Sequence, residues 1–114
     1  DKETLGFWIW NIPENLEIYS PGFRKSLGFK DENDFPNVPE SWQKQIDQKY
    51  LPKALSDFEK QVETRGESDY VIPCTYRKKR FGKVSLVCQG RIIAWDKSDP
   101  ENWKPLVMVG LHWK

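Results

Sequence analysis

The stretch YVIPCTYRKKRFGKVSLVCQGRIIAWDKSDPENWKPLVMVGLHWK, residues 70–114, decides the fold. From Tyr70 onward apolar and polar residues alternate with a period of two. That is the spacing at which successive side chains of a strand point to opposite faces. Three strands are predicted, over 70–78, 83–95 and 104–113. A tight turn near Lys79-Arg80-Phe81-Gly82 joins the first two. A polar loop, Asp96 to Trp103 with Pro100 inside it, separates the second from the third.

Parity sorts these strands into two faces. One face carries Ile72, Cys74, Tyr76, Val84, Leu86, Cys88, Gly90, Ile92, Ala94, Leu106, Met108, Gly110 and His112, and is almost uncharged. It should face the core. The other mixes Arg77, Gln89, Arg91 and Trp95 with a band of aliphatics, so it is neither fully wet nor fully dry. A flanking helix or a second subunit would cover it. A turn centred near residues 80–82 sets Cys74 opposite Cys88. Folding the last strand back sets Gly90 beside Gly110 and Cys88 beside His112. Two glycines meeting on the inner face lack side chains, and the space beneath them is where a small cavity is expected.

Working back from Tyr70, Leu51, Leu55, Phe58 and Val62 recur at four, three and four residues. They form the apolar stripe of one longer helix that stops at Gly66. Pro39 to Ile46 reads as a second short helix. Ser20 followed by Pro21 is an N-cap and first-turn pair that opens another, ending at Gly28. Phe7-Trp8-Ile9-Trp10-Asn11-Ile12 and Leu16 to Tyr19 read as a hairpin around Pro13-Glu14-Asn15. The order is two strands, short helices, one longer helix, then three strands. That is an α+β domain with its helices on one face of an antiparallel sheet.

Composition narrows the function. At 114 residues the chain is the size of one domain, taken here as 1–114. Eighteen basic residues face seventeen acidic ones, a balance unlike the basic excess of a nucleic-acid binder. No apolar run is long enough to span a bilayer and no signal-peptide pattern is present. Two cysteines are too few for a disulfide framework, so a reducing, cytoplasmic location is expected. A start at Asp1 rather than methionine reads as a piece of something longer. The six tryptophans fill a small core or stack on a ligand.

With these elements in place, the chain resembles the PAS family of bacterial signalling domains. Gly6-Phe7-Trp8-Ile9-Trp10-Asn11 is similar to its opening "G-x-W-x-W-D" strand. Tyr19-Ser20-Pro21-Gly22-Phe23 with Leu27-Gly28-Phe29 is similar to "S-x-x-x-x-x-x-L-G-Y". Trp42 with Ile46-Asp47, Tyr76-Arg77 with Phe81-Gly82 and Gly90, and Val109-Gly110-Leu111-His112 follow in the family's order. Asn11 stands in place of the first strand's aspartate, and Trp113-Lys114 in place of a closing aspartate-isoleucine. The resemblance implies a five-stranded antiparallel sheet crossed by helices on one face. It also implies a sensory role, in which a ligand between sheet and helices alters packing and the change passes to an effector domain or partner protein.

The ligand-binding residues expected on this basis are Leu55, Phe58, Cys74, Cys88, Gly90, Met108 and Gly110. No membrane segment and no nucleic-acid partner are expected. A homodimer through the outer sheet face or flanking segments is. No prosthetic group is indicated. Family members that hold haem present a histidine from the long helix, whereas the one histidine here is His112 on the last strand. Neither cysteine lies in the helix motif of covalent flavin binders. Cys74, Cys88 and His112 read as two small buried hydrophobes and a hydrogen-bonded histidine rather than a metal or redox site. The basic run Arg77–Arg80, flanked by Tyr76 and Phe81, reads as a solvated turn. No catalytic motif is present. An RNA- or carbohydrate-binding module would instead display several coplanar exposed tryptophans on an open sheet. A small cone-shaped enzyme would need a pocket holding paired polar groups.

Overall fold

Five strands, β1 (Thr4–Asn11), β2 (Leu16–Tyr19), β3 (Tyr70–Arg77), β4 (Lys83–Asp96) and β5 (Lys104–Trp113), form one sheet. The computed structural model describes residues 2–114. Every pairing is antiparallel and the spatial order is β2-β1-β5-β4-β3. Three α-helices, α1 (Pro21–Ser26), α2 (Pro39–Gln45) and α3 (Leu51–Glu63), lie between β2 and β3, with a single 3-10 turn, Gln48–Tyr50, ahead of α3. This is the α+β architecture that the alternation and the helical stripe predict.

The faces separate as parity requires. Ile72, Cys74, Tyr76, Leu86, Cys88, Ile92, Met108 and His112 are buried, while Arg77, Gln89, Arg91 and Ile93 are exposed. The long pairing of β4 with β5 places Gly90 opposite Gly110 and Cys88 opposite His112, as expected.

The β3–β4 hairpin differs by two residues. Cys74 pairs with Leu86, and Ile72 with Cys88. The two cysteines are diagonal rather than opposite. The hairpin tip runs Lys78 to Gly82, closed by a bond from Lys78 N–H to the Gly82 carbonyl (2.9 Å), with Gly82 at φ +92°. Its residues are uniformly polar apart from Phe81, so no apolar neighbour favours one closure over the other.

The space under the two glycines is filled by the chain itself. A Cβ on Gly90 would lie 2.7 Å from two atoms of the Trp8 indole, and one on Gly110 would lie 2.3 Å from it and 2.1 Å from the Gln89 carbonyl oxygen. Gly90 and Gly110 therefore let Trp8, from β1, lie against the sheet. They do not leave a void.

The remaining departures are local. In α3 the fully buried residues are Ala54 and Gln61; Leu51, Phe58 and Val62 are half-buried and Leu55 is exposed. The register of β4 shifts between Ile92 and Trp95. Trp95, given to the outer face by alternation, instead packs half-buried against the core, 3.7 Å from where a Cβ on Gly66 would sit. Ser20 holds the N-cap position of α1, yet its Oγ accepts from the Phe7 N–H (2.9 Å) and caps nothing.

Candidate functional site

The inner sheet face and the helices enclose one cavity of about 50 Å³. Its floor is formed by Trp8 and Trp10 of β1, Glu17 of β2, and Tyr70, Tyr76, Cys88, Met108 and His112 of β3, β4 and β5. Its roof is formed by Pro39, Trp42 and Gln43 of α2 and by Ala54, Leu55 and Phe58 of α3. Exposed Leu55 and half-buried Trp42 and Gln43 make the rim. Of the seven residues named from sequence, Leu55, Phe58, Cys88 and Met108 line this cavity. Cys74 does not, because the shifted hairpin moves it toward Leu86 and Tyr50. Gly90 and Gly110 do not, because Trp8 covers them.

Local structure explains the floor. β2 is a four-residue edge strand in which Glu17 and Tyr19 turn inward while Leu16 and Ile18 turn out. Glu17 pairs with Trp10 and Tyr19 with Trp8, so the carboxyl enters the same side as the indoles. Trp10 meets Phe58 of α3 with ring centroids 5.1 Å apart. His112 stacks on Phe23 of α1 at 3.9 Å and 11°, and meets Tyr76 edge-on.

The wall is polar-poor but not polar-free. Among the described residues, four buried side-chain atoms lack a hydrogen-bond partner: Trp8 Nε1, Trp10 Nε1, Glu17 Oε1 and His112 Nδ1. All four belong to residues that line this cavity. Most buried polar atoms find a partner, since leaving one unmet costs about 1–3 kcal/mol. His112 was expected to be hydrogen-bonded; its Nδ1 has no partner.

Burial sets the charge state. Glu17 is 3% exposed. Desolvation pushes its carboxyl up to about 8, with the Trp42 indole a partial counterweight and the Glu40 carboxylate adding to the rise. His112 is 2% exposed, and desolvation pulls its imidazole down to about 3. The Cys88 thiol is raised well above its ordinary value, again by burial. At neutral pH the wall is therefore uncharged: a protonated acid, a neutral imidazole and a protonated thiol.

Sequence reasoning missed Glu17. The usable signal was the alternation of Leu16-Glu17-Ile18-Tyr19, which puts Glu17 on the same side as Tyr19. A strand this short, with a carboxylate in it, reads more readily as an exposed edge.

Cys74 and Cys88 are free and buried, and no cluster of metal-ligating residues occurs among the described residues. In the basic turn, Lys79 pairs with Asp34 (2.6 Å) and Arg77 donates to the Lys44 carbonyl (2.7 Å). None of the six tryptophans is exposed, and the neighbouring pair Trp95–Trp103 is tilted by 57°. No helix among the described residues is long and apolar enough to cross a membrane.

No family profile matches the sequence. No curated protein matches it either. Solved structures do. A sensory box histidine kinase/response regulator from Burkholderia thailandensis E264 is similar over 94% of this chain and 73% of its own, with a TM-score of 0.72 and 20% identity. A light-oxygen-voltage domain, studied with a flavin analogue, is similar over 95% of this chain and 75% of its own, with a TM-score of 0.62 and 20% identity. The sheet order, the helices on one face and these likenesses together show that the chain has the PAS fold.

Proposed function

We propose that this is a sensory signalling domain that takes a small molecule into the cavity between its sheet and α2/α3. The observation that carries this reading is that every buried side-chain nitrogen or oxygen without a hydrogen-bond partner, among the described residues, belongs to a residue lining one cavity. A ligand that pairs with them would stiffen the contact of the helices with the sheet and shift a conformational equilibrium. The two solved structures, a sensory kinase and a light-oxygen-voltage domain, lend the sensory role analogy. A flavin does not fit the residues present. The cavity, about 50 Å³, is far below the roughly 300 Å³ at which drug-sized sites begin.

The signal would leave through the outer sheet face. Ile18, Ile9 and Val109 adjoin across β2, β1 and β5, and Phe7 adjoins Leu111 in the next row. Phe7, Ile9, Ile18 and Leu111 are all exposed. This apolar band supports a homodimer, or docking of an effector, in the reducing setting of the cytoplasm.

An enzyme reading has one point in its favour, because Glu17 and His112 share the cavity. An imidazole held near 3 is a weak base at neutral pH, however, and general acid–base catalysis works best with groups near the operating pH. We therefore favour binding over turnover.

Native mass spectrometry of the domain purified from its own cells tests the proposal. A dimer carrying an added small mass is expected, with Ile9→Glu returning it to monomer. A bare monomer at all concentrations would defeat it.

A further inference from the structure

Resting on the ligand-binding reading above, the geometry points to a class of ligand: we infer that the cavity takes a small organic cation, an ammonium with a few carbons. The rings of Trp8, Trp10, Trp42, Phe58, Tyr70 and Tyr76 wall the space, and Glu17 alone supplies an acid. The electron-rich faces of such rings attract a desolvated cation, as in the aromatic cages that recognise quaternary ammonium groups.

The charge balance favours the same class. No lysine or arginine lines the cavity. Among the described residues Glu17 makes no salt bridge, its Oε1 has no hydrogen-bond partner, and the charge that acts on it is that of another acid, Glu40. A buried carboxylate is normally paired, because removing one partner leaves an uncompensated charge in a poorly polarisable interior. Here the partner is missing from the chain. Without a counter-ion Glu17 keeps its proton at neutral pH; a cation seated beside it reverses that preference. An anion would meet the Glu17 carboxyl and neither a lysine nor an arginine. The volume is several times what one water requires and suits a compact head group rather than an extended molecule.

The test is a titration followed by calorimetry and tryptophan emission, using tetramethylammonium against tert-butanol, an uncharged molecule of the same shape. Tetramethylammonium should bind at least about tenfold tighter than tert-butanol. Glu17→Gln, which keeps size and hydrogen bonding but removes the charge, should abolish that preference and leave tert-butanol within about twofold of its original affinity. Phe58→Leu, which leaves Glu17 in place, should weaken the cation several-fold and the alcohol much less. If tert-butanol binds as well as tetramethylammonium, the cation inference fails while the ligand-binding cavity stands. If the preference survives Glu17→Gln, the assigned role of Glu17 is overturned. If neither probe binds, the cation inference fails, and a bare domain in the native mass measurement would remove the cavity reading with it.

Discussion

Gln61 of α3 and Ile92 of β4 share one buried hydrogen bond: the Ile92 N–H donates to Gln61 Oε1 at 2.7 Å. β3 begins at Tyr70, which pairs with Gly90, so Ile92 has no strand beside it on that side. The glutamine side chain takes the place of the missing strand carbonyl, at the residue where the β4 register begins to shift. Its Nε2 donates to the Ser68 carbonyl at 3.0 Å and holds the chain leaving the helix. Helix and sheet are thus joined by a directional bond as well as by apolar packing.

Replacing Gln61 with Met keeps the length and removes both bonds, leaving a buried N–H and a carbonyl unmet. A loss of about 2–4 kcal/mol is expected, read as a lower urea midpoint at unchanged slope. The Ile92 amide should also lose hydrogen-exchange protection more than its neighbours in β4. A loss below about 0.5 kcal/mol would show that the bond does not hold α3 to the sheet.

Trp8 and the glycine pair should respond differently to one added methyl. Gly90→Ala meets only side chains, the Trp8 ring at 2.7 Å and the Met108 Cε at 3.1 Å, whereas Gly110→Ala also meets the Gln89 backbone oxygen at 2.1 Å. Each should cost about 1–3 kcal/mol or more by overpacking. Adding Trp8→Phe, which removes the clashing ring atoms, should recover about 1 kcal/mol or more of the Gly90→Ala loss in a double-mutant cycle. It should recover little for Gly110→Ala. Equal recovery in both would mean that the backbone contact does not matter.

Stability should form a plateau in pH bounded by Glu17 and His112. Glu17 titrates near 8 folded and 4.5 unfolded, so the folded state holds the extra proton and stability falls as pH rises through that window. His112 titrates near 3 folded and 6.5 unfolded, so the unfolded state holds the extra proton and stability falls as pH drops through its window. Between 4.5 and 6.5 the two slopes cancel. About 2 kcal/mol should be lost between pH 6.5 and 8 through Glu17, and about 2 kcal/mol between 4.5 and 3 through His112. Asp34, Asp47, Asp96 and Asp99, all held below the usual carboxylate range by hydrogen bonds, add to the acid limb. Glu17→Gln should flatten the alkaline limb, and His112→Gln should soften the acid limb. An unchanged alkaline limb in Glu17→Gln would contradict the burial of that carboxyl.

Both thiols should be inert. Burial pushes Cys74 up to about 12 and Cys88 well above its ordinary value, so the reactive thiolate is scarce at neutral pH. A thiol reagent should label neither cysteine in the native domain and both in denaturant without reductant. Rapid native labelling, or fewer than two thiols after denaturation, would contradict this.

Period and punctuation belong to the sequence alone. The alternation from Tyr70 determined three strands and their inner face, and the glycine and proline positions determined where the helices start and stop. The opposition of Gly90 and Gly110 followed from the polar loop before Trp103. These features are local: each depends on the conformational preferences and the polarity of residues close in the chain. The tertiary structure decided what depends on distant neighbours. Trp8, about eighty residues away, occupies the gap the glycines leave. The position of Ile92 turns α3 so that Gln61 and Ala54, rather than Leu55, face the sheet. The pairing of Glu17 with Trp10 buries a carboxyl that its own four-residue strand gives little reason to bury. Alternation says which side of a strand a residue takes. Only packing, which brings remote segments within contact, says what waits on that side and whether water does.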